Sequence, residues 1–320
     1  MPSADEFLQR HDGGIHAIDT GFHRARFDAS YLLVQRGRGA FVDTGTNHSV
    51  PRLLAALDAV GLQPADVEWV IATHVHLDHA GGVGLLMQHL PNAQLVVHPR
   101  GARHLIDPAR LTRSAGAVYG DDEVARSYGH VVGVPRSRVL TTHDDMTLDW
   151  HGRRLRFIDT PGHARHHHCI WDEATGGWFT GDTFGLSYRE FDTDRGAWLL
   201  PTTTPVQFEP DALRVSVRRL LDVEPRRMYL THYGPVDDVQ RLGAQFLEQL
   251  DAMVALGRAL AHAPDRHAAL KRGLEQHYLE RVRQHGCTMS DDTALDLLAM
   301  DIELNAQGMG IWLDKTAATA

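Results

Sequence analysis

Up to about residue 236, short apolar runs that end in Gly, Pro or polar clusters alternate with stretches of helical period. Tyr31-Leu32-Leu33-Val34-Gln35 and Ala40-Phe41-Val42 flank a Gly-Arg-Gly turn, a pattern that predicts a β-hairpin. Leu53, Leu54, Leu57 and Val60 then recur at helical spacing, with Ser49 as the expected N-cap, Pro51 in the first turn and Gly61 as the stop. The runs 67–72 and 94–98 read as buried strands, and Gly81-Gly82 opens a helical pattern through Leu90. Residues 101–140 are less regular, with Pro108, Gly116, Gly120 and Gly129 interrupting short helical pieces. Strands resume at 146–150 and 154–158, joined by a turn at His151-Gly152, and continue at 168–171, 178–181 and 226–230, with an amphipathic stretch over 210–221. Beyond Pro235 the period becomes helical. Val239, Leu242, Phe246, Leu250 and Met253 form one stripe, Leu270, Leu274 and Tyr278 a second, and Ala294, Leu297, Leu298 and Ile302 a third, with Asp265 and Ser290 as caps of the last two helices.

Chemistry gathers where the strands end. Thr73-His74-Val75-His76-Leu77-Asp78-His79-Ala80-Gly81-Gly82 follows the 67–72 strand and supplies three imidazoles and a carboxylate. Alternation in an extended segment aims His74 and His76 at one side, while Asp78 and His79 begin a helix and face a second point, so a single loop can serve two ions. Other apolar strands also deliver a His or Asp near the carboxyl end, followed within a few residues by Gly or Pro: Asp43, then His163 in Asp159-Thr160-Pro161-Gly162-His163, Asp182, and His232 in Thr231-His232-Tyr233-Gly234-Pro235. Asp43 reads equally as a turn-former and as a carboxylate that orients a neighbouring imidazole.

Composition narrows the class. The formal charge of −9 and the absence of a dense Lys/Arg run leave no electrostatic footprint for nucleic acid. No segment approaches the roughly 18 apolar residues of a membrane helix, and the amino terminus lacks the pattern of a signal peptide, so a cytoplasmic protein with a small-molecule substrate is expected. The sequence leaves room for a homodimer. Cys169 and Cys287 are far apart and in no C-x-x-C pair, which points to packing rather than to a disulfide or thiolate zinc site.

Together, His74, His76, Asp78, His79, His163, Asp182 and His232 resemble the ligand set of the metallo-β-lactamase-fold hydrolases, in their dinuclear, glyoxalase II-like branch. The resemblance covers roughly residues 13–236. It implies an α+β fold, a four-layer αββα sandwich with two metal ions on one edge. His74, His76 and His163 would hold one ion, Asp78, His79 and His232 the other, and Asp182 would bridge both. Imidazoles and carboxylates suit two divalent ions per chain, Zn²⁺ first and Fe²⁺ or Mn²⁺ as alternatives. A hydroxide held by both ions is the expected nucleophile, with Asp78 and Asp182 the carboxylates nearest the chemistry. Two divalent cations outweigh those carboxylates and one hydroxide, which favours carbonyl or anionic substrates locally. Residues 1–236 form the expected catalytic domain, with 101–150 as a lid insertion, and 237–320 form a C-terminal helical extension.

The expected reaction is hydrolysis of a small ester-like bond, with a thioester ranked above a lactone and a phosphodiester. His76 in place of a Glu disfavours the flavodiiron oxidoreductases, and Asp78 with an Asp bridge departs from the true β-lactamases. A mononuclear iron persulfide dioxygenase is the alternative from another reaction class, and a binding protein without activity is a third. Tyr119, Tyr128 and His130 are candidate substrate contacts of the lid or packing residues. His166, His167 and His168 are expected to support ligands from behind or to lie on the surface. Tyr233 could reach substrate or pack, and the polar loop 201–205 follows Asp182 closely enough to reach the site.

Overall fold

A computed structural model describes residues 4–319, apart from the side chains of Tyr119 and Thr319. The chain divides into two compact units. One comprises the residues up to Asp159 with His166–Gly181 and Pro225–Asp237, and the other comprises Thr160–Arg165, Asp182–Glu224 and the residues from Asp238 onward.

The first unit holds two β-sheets. Strands β1 (Leu8–His11), β2 (Ile15–Asp19), β3 (Ala29–Gln35), β4 (Arg38–Val42), β5 (Val67–Ala72), β6 (Gln94–Val97) and β7 (Val139–Thr141) lie side by side in sequence order. Pairing is antiparallel as far as β4 and parallel from β4 to β7. The second sheet has the order β13 (Gly234–Val236), β12 (Arg227–Leu230), β11 (Gly177–Gly181), β10 (His168–Asp172), β9 (Arg153–Asp159), β8 (Met146–Trp150). Only β11 and β12 pair in parallel there, and β9 runs in their direction because both β9 and β11 are antiparallel to β10.

Side-chain alternation explains why the central strands read as continuous apolar runs. Tyr31, Leu33, Ile71 and Val96 enter one core with Phe157, Ile170, Phe179 and Tyr229 of the other sheet. Leu32, Val70, Leu95 and Val97 face a second core. Both faces are buried, so no polar alternation survives. At the centre of the sandwich the Phe179 and Tyr229 rings stack at 4.7 Å and Tyr31 meets Phe179 edge-on at 5.2 Å. Such pairs contribute about 1 kcal/mol each beyond the area they bury. The second core is covered by α1 (Ala4–Phe7), α2 (Val50–Val60), α4 (Val83–His89) and α5 (Pro99–Ile106); α3 (Leu77–Ala80) is the short helix of the histidine loop, and α6 (Ala109–Tyr119) and α7 (Asp121–Tyr128) follow α5.

Two local readings change. Gly116, read as a break, lies inside α6. Ser49 does not cap α2: its hydroxyl accepts from the Thr46 N–H, and the two residues instead form a capping box around the 3₁₀ turn that precedes the helix.

The second unit is largely helical, with α8 (Pro210–Leu221), α9 (Val239–Ala259), α10 (Arg266–Gln284) and α11 (Asp291–Thr319). The predicted stripes are its core, since Leu242, Phe246, Leu250, Leu270, Leu274, Tyr278 and Leu298 are buried. Asp265 accepts from the Ala268 N–H and Ser290 from the Thr293 N–H, as expected of N-caps. The α+β fold class read from the sequence holds, with two packed sheets, helices, and a helical C-terminal part. Among the described residues no helix is long and apolar enough to cross a membrane.

Candidate metal centre

In the first unit, the carboxyl ends of β4, β5 and β12 are tied together by one carboxylate. Asp43 follows β4 with a left-handed backbone (φ 54°) that turns its side chain back along the sheet edge. Its Oδ1 accepts from the Thr73 N–H at 2.8 Å and its Oδ2 from the Thr231 hydroxyl at 2.9 Å. The Thr73 hydroxyl reaches both oxygens, and His79 Nδ1 lies 2.8 Å from Oδ2. Asp43 is therefore both a turn residue and an orienter of an imidazole. It is only 1% exposed, so these donors replace its water shell.

Those bonds fix which nitrogens remain. His79 gives Nδ1 to Asp43, and His232 Nδ1 lies 2.9 Å from the Phe27 carbonyl oxygen, an acceptor that requires the proton on that nitrogen. Both rings are left with Nε2 as the ligating atom, and these two atoms stand 3.7 and 3.3 Å from Asp78 Oδ2. The donor atoms of Asp78, His79 and His232 all lie within 4.8 Å of one another. A carboxylate and two imidazoles whose outer nitrogens are already spoken for match the chemistry that a divalent transition metal requires.

His74 and His76, on the same loop, bring Nε2 and Nδ1 to 2.7 Å. At that separation the nitrogens need a shared proton or cation between their lone pairs. His74 Nδ1 lies 3.2 Å from the Thr73 hydroxyl, whose own proton is directed at Asp43. Behind this pair, the His167 ring stacks on His74 at 4.8 Å and the His166 ring meets His76 edge-on at 5.5 Å. His166, His167 and His168 are all buried, which removes the surface role that was open for them. Burial is the main cause that holds His168 down to about 3, and it lowers His166 as well, so both rings are neutral near pH 7.

The second unit carries the other two sequence-derived ligands. His163 Nε2 stands 3.3 Å from Asp182 Oδ2, and both side chains are buried. Peptide geometry fixes where they enter: Asp182 is the residue after β11, and His163 comes four residues after β9. Gly162 has φ +136°, and a Cβ there would stand 2.3 Å from the Leu213 N and Cα atoms, so only glycine lets the loop pass α8.

A model of the metallo-beta-lactamase superfamily matches residues 24–232, a span that contains every ligand position named above. The chain belongs to the metallo-beta-lactamase superfamily. It is 26% identical over 229 residues to the metallo-beta-lactamase fold-containing protein ST1585 of Sulfurisphaera tokodaii, covering 70% of this chain and 79% of that protein. The crystal structure of ST1585 superposes with a TM-score of 0.61 at 25% identity, over 75% of this chain and 86% of the other. Resemblance to relatives with named activities is more partial. A hydroxyacylglutathione hydrolase of Aeromonas salmonicida is 30% identical over 153 residues, 48% of this chain and 45% of the enzyme. An N-acyl homoserine lactonase AttM of Azorhizobium caulinodans is 38% identical over 115 residues, 36% of this chain and 39% of the enzyme. The matched region thus spans less than half the length of either enzyme.

The remaining candidates divide. Tyr128 is buried with its ring 5.4 Å from Phe22, and Phe22 packs on Phe27, whose ring meets His232 at 5.4 Å. His130 is exposed, and its carbonyl accepts from the Asn47 amide. The side chain of Tyr119 lies outside the described residues. Tyr233 belongs to the core between the sheets. Loop 201–205 does reach a ligand loop, because the Thr204 hydroxyl donates to the His163 carbonyl. Cys169 is buried and Cys287 half-buried, and neither is in a disulfide. Sequence reading missed Thr73 and Thr231, although the repeated Thr-His dipeptide at two strand ends was a usable signal. It also missed the Phe27 carbonyl and exposed His23, which lies near Asp78 and His232.

Proposed function

We propose that the protein is a metal-dependent hydrolase of a small ester-like substrate, with two divalent ions per chain, Zn²⁺ foremost. His74, His76 and His163 would hold one ion and Asp78, His79 and His232 the other; Asp182, whose carboxylate lies near the donor atoms of the first three, would serve both. The observation that carries this reading is the Asp43 clamp. One buried carboxylate, with the Phe27 carbonyl, leaves Nε2 of His79 and of His232 aimed at the Asp78 oxygen. Bound there, such divalent ions would activate water near neutral pH and polarise the scissile carbonyl. The chain's own residues do the rest: His79 and His232 are locked in one tautomer, Asp78 stays partly exposed, and the buried His166–His168 run backs the loop.

The leaving group ranks the candidate bonds. A thiolate leaves without protonation, whereas an alkoxide needs a donor or a cation. Thioesters therefore rank first, lactones second and phosphodiesters third, while Tyr233, beside His232, packs between the sheets. The partial likenesses to a hydroxyacylglutathione hydrolase and to an acyl homoserine lactonase support the first two classes. The test is a panel of matched thioesters, oxygen esters, lactones and bis-aryl phosphodiesters on Zn²⁺-loaded protein. Thioesters are expected to turn over fastest, with activity abolished by His76→Ala. Faster lactone or phosphodiester turnover overturns the ranking. Persulfide oxidation by protein with one iron, in place of any hydrolysis, overturns the class.

A further inference from the structure

The C-terminal helix reaches the His163 loop through buried hydrogen bonds inside the second unit. Asn305 of α11 is fully buried. Its Oδ1 accepts from the Thr203 N–H at 2.7 Å, and its Nδ2 donates to the Tyr278 hydroxyl at 2.8 Å and to the Pro201 carbonyl at 3.3 Å. One side chain thus joins α10, α11 and the loop after Leu200, using a fixed pattern of one acceptor and two donors that no aliphatic side chain reproduces. Three residues further along the helix, a Cβ on Gly308 would stand 2.2 Å from the Thr203 hydroxyl and 2.7 Å from the Thr204 carbonyl oxygen. The loop lies directly on the helix backbone.

From that anchor the loop grips both sides of His163. The Thr204 hydroxyl donates to the His163 carbonyl at 3.3 Å and accepts from the Gln207 N–H at 3.1 Å. Gln207 Oε1 accepts from the Arg165 N–H at 2.8 Å, and the Glu209 N–H donates to the Gly162 carbonyl at 2.8 Å. The residue before His163, His163 itself and a residue just after it therefore all hang on segment 204–209.

We propose that Asn305 is a positioning residue for His163: it sets the register of loop 201–209 on α11, and the loop sets where the His163 imidazole stands. This rests on the assignment of His163 as a metal ligand. It gives the C-terminal helices a task of their own. The extension holds the loop that presents a ligand.

The test is a double-mutant cycle on the full-length chain, read by competitive chelator titration with Zn²⁺ alone. Asn305→Ala is expected to weaken one of two Zn²⁺ equivalents by roughly tenfold, in line with losses seen when partners behind ligands are removed, and to spare the other. His163→Ala should weaken the same equivalent, and adding Asn305→Ala to it should change nothing further. Thr204→Val removes the hydroxyl's hold on the His163 carbonyl and leaves α11 packed. It should reproduce part of the loss with an unchanged thermal midpoint, and it carries the comparison if Asn305→Ala does not fold. Independent, multiplying losses from Asn305→Ala and His163→Ala, equal weakening of both equivalents, or no weakening by either Asn305→Ala or Thr204→Val overturns the proposal. Full Zn²⁺ binding by His163→Ala overturns the ligand assignment and the inference with it, whereas a loss in His163→Ala alone overturns only the inference.

Discussion

The candidate ligands of the two units are held by different means. In the first unit, His79 and His232 are fixed from the ends of strands: Asp43 at the end of β4 takes His79, Thr73 and Thr231, and the Phe27 carbonyl, two residues before β3, takes His232. His163 and Asp182 belong to a unit built from loops and helices, and the peptides around His163 depend on residues more than forty positions later in the chain. A sheet edge gives precise placement almost without extra parts, because neighbouring strands already share a register. A ligand on a loop needs its backbone bonds supplied from elsewhere, and α11 with loop 201–209 supplies them.

The largest expected break is at the strand-held set. Asp43→Asn turns an amide toward donors that now meet a carboxylate, and should destabilise the metal-free protein by about 3 kcal/mol while weakening Zn²⁺ binding roughly 10- to 100-fold. Urea unfolding and chelator competition check both, and an unchanged urea midpoint would show that the clamp is incidental. Next is the loop-held set. Gly162→Ala places a Cβ where the Leu213 backbone stands, so one Zn²⁺ equivalent should be lost while the other is kept; loss of both would mean that the two sets are not independently supported.

A smaller effect concerns pH. Burial depresses His168 to about 3 in the folded chain, below its unfolded value near 6.5. Between these values the unfolded state binds more protons, so stability is full above about 6.5 and falls as pH drops toward 3. His166, lowered by the same cause, acts in the same direction. Urea midpoints measured from pH 7 to 5 should therefore fall less in His168→Gln than in the natural sequence, and parallel curves would remove His168 from the account. The smallest effect is expected at Tyr128, which reaches His232 only through Phe22 and Phe27. Tyr128→Ala should shift KM a few-fold with metal content unchanged, and unaltered kinetics would make that aromatic contact pure packing.

Strand ends were legible because an apolar run followed by His or Asp and then Gly or Pro is a local pattern, and the histidine loop carries four candidate ligands within six positions. The helical stripes and the caps at Asp265 and Ser290 were legible for the same reason. What the pattern could not carry were relations between distant residues. Thr231 bonds to Asp43 and Asn305 to Thr203 across 188 and 102 positions, and the grouping of 160–165 and 182–224 with the C-terminal helices is of the same kind. Of the two roles open to the His166–His168 run, burial leaves the one behind the candidate ligands.

The central claim, that these candidate ligands take up two ions and that Asp182 serves both, is tested most directly by counting metal. Elemental analysis of the natural sequence, Asp78→Ala and Asp182→Ala after identical Zn²⁺ loading and dialysis should give two ions per chain, one ion for Asp78→Ala, and depletion of both for Asp182→Ala. A single tightly bound ion in the natural sequence, undisturbed by Asp78→Ala, would contradict it.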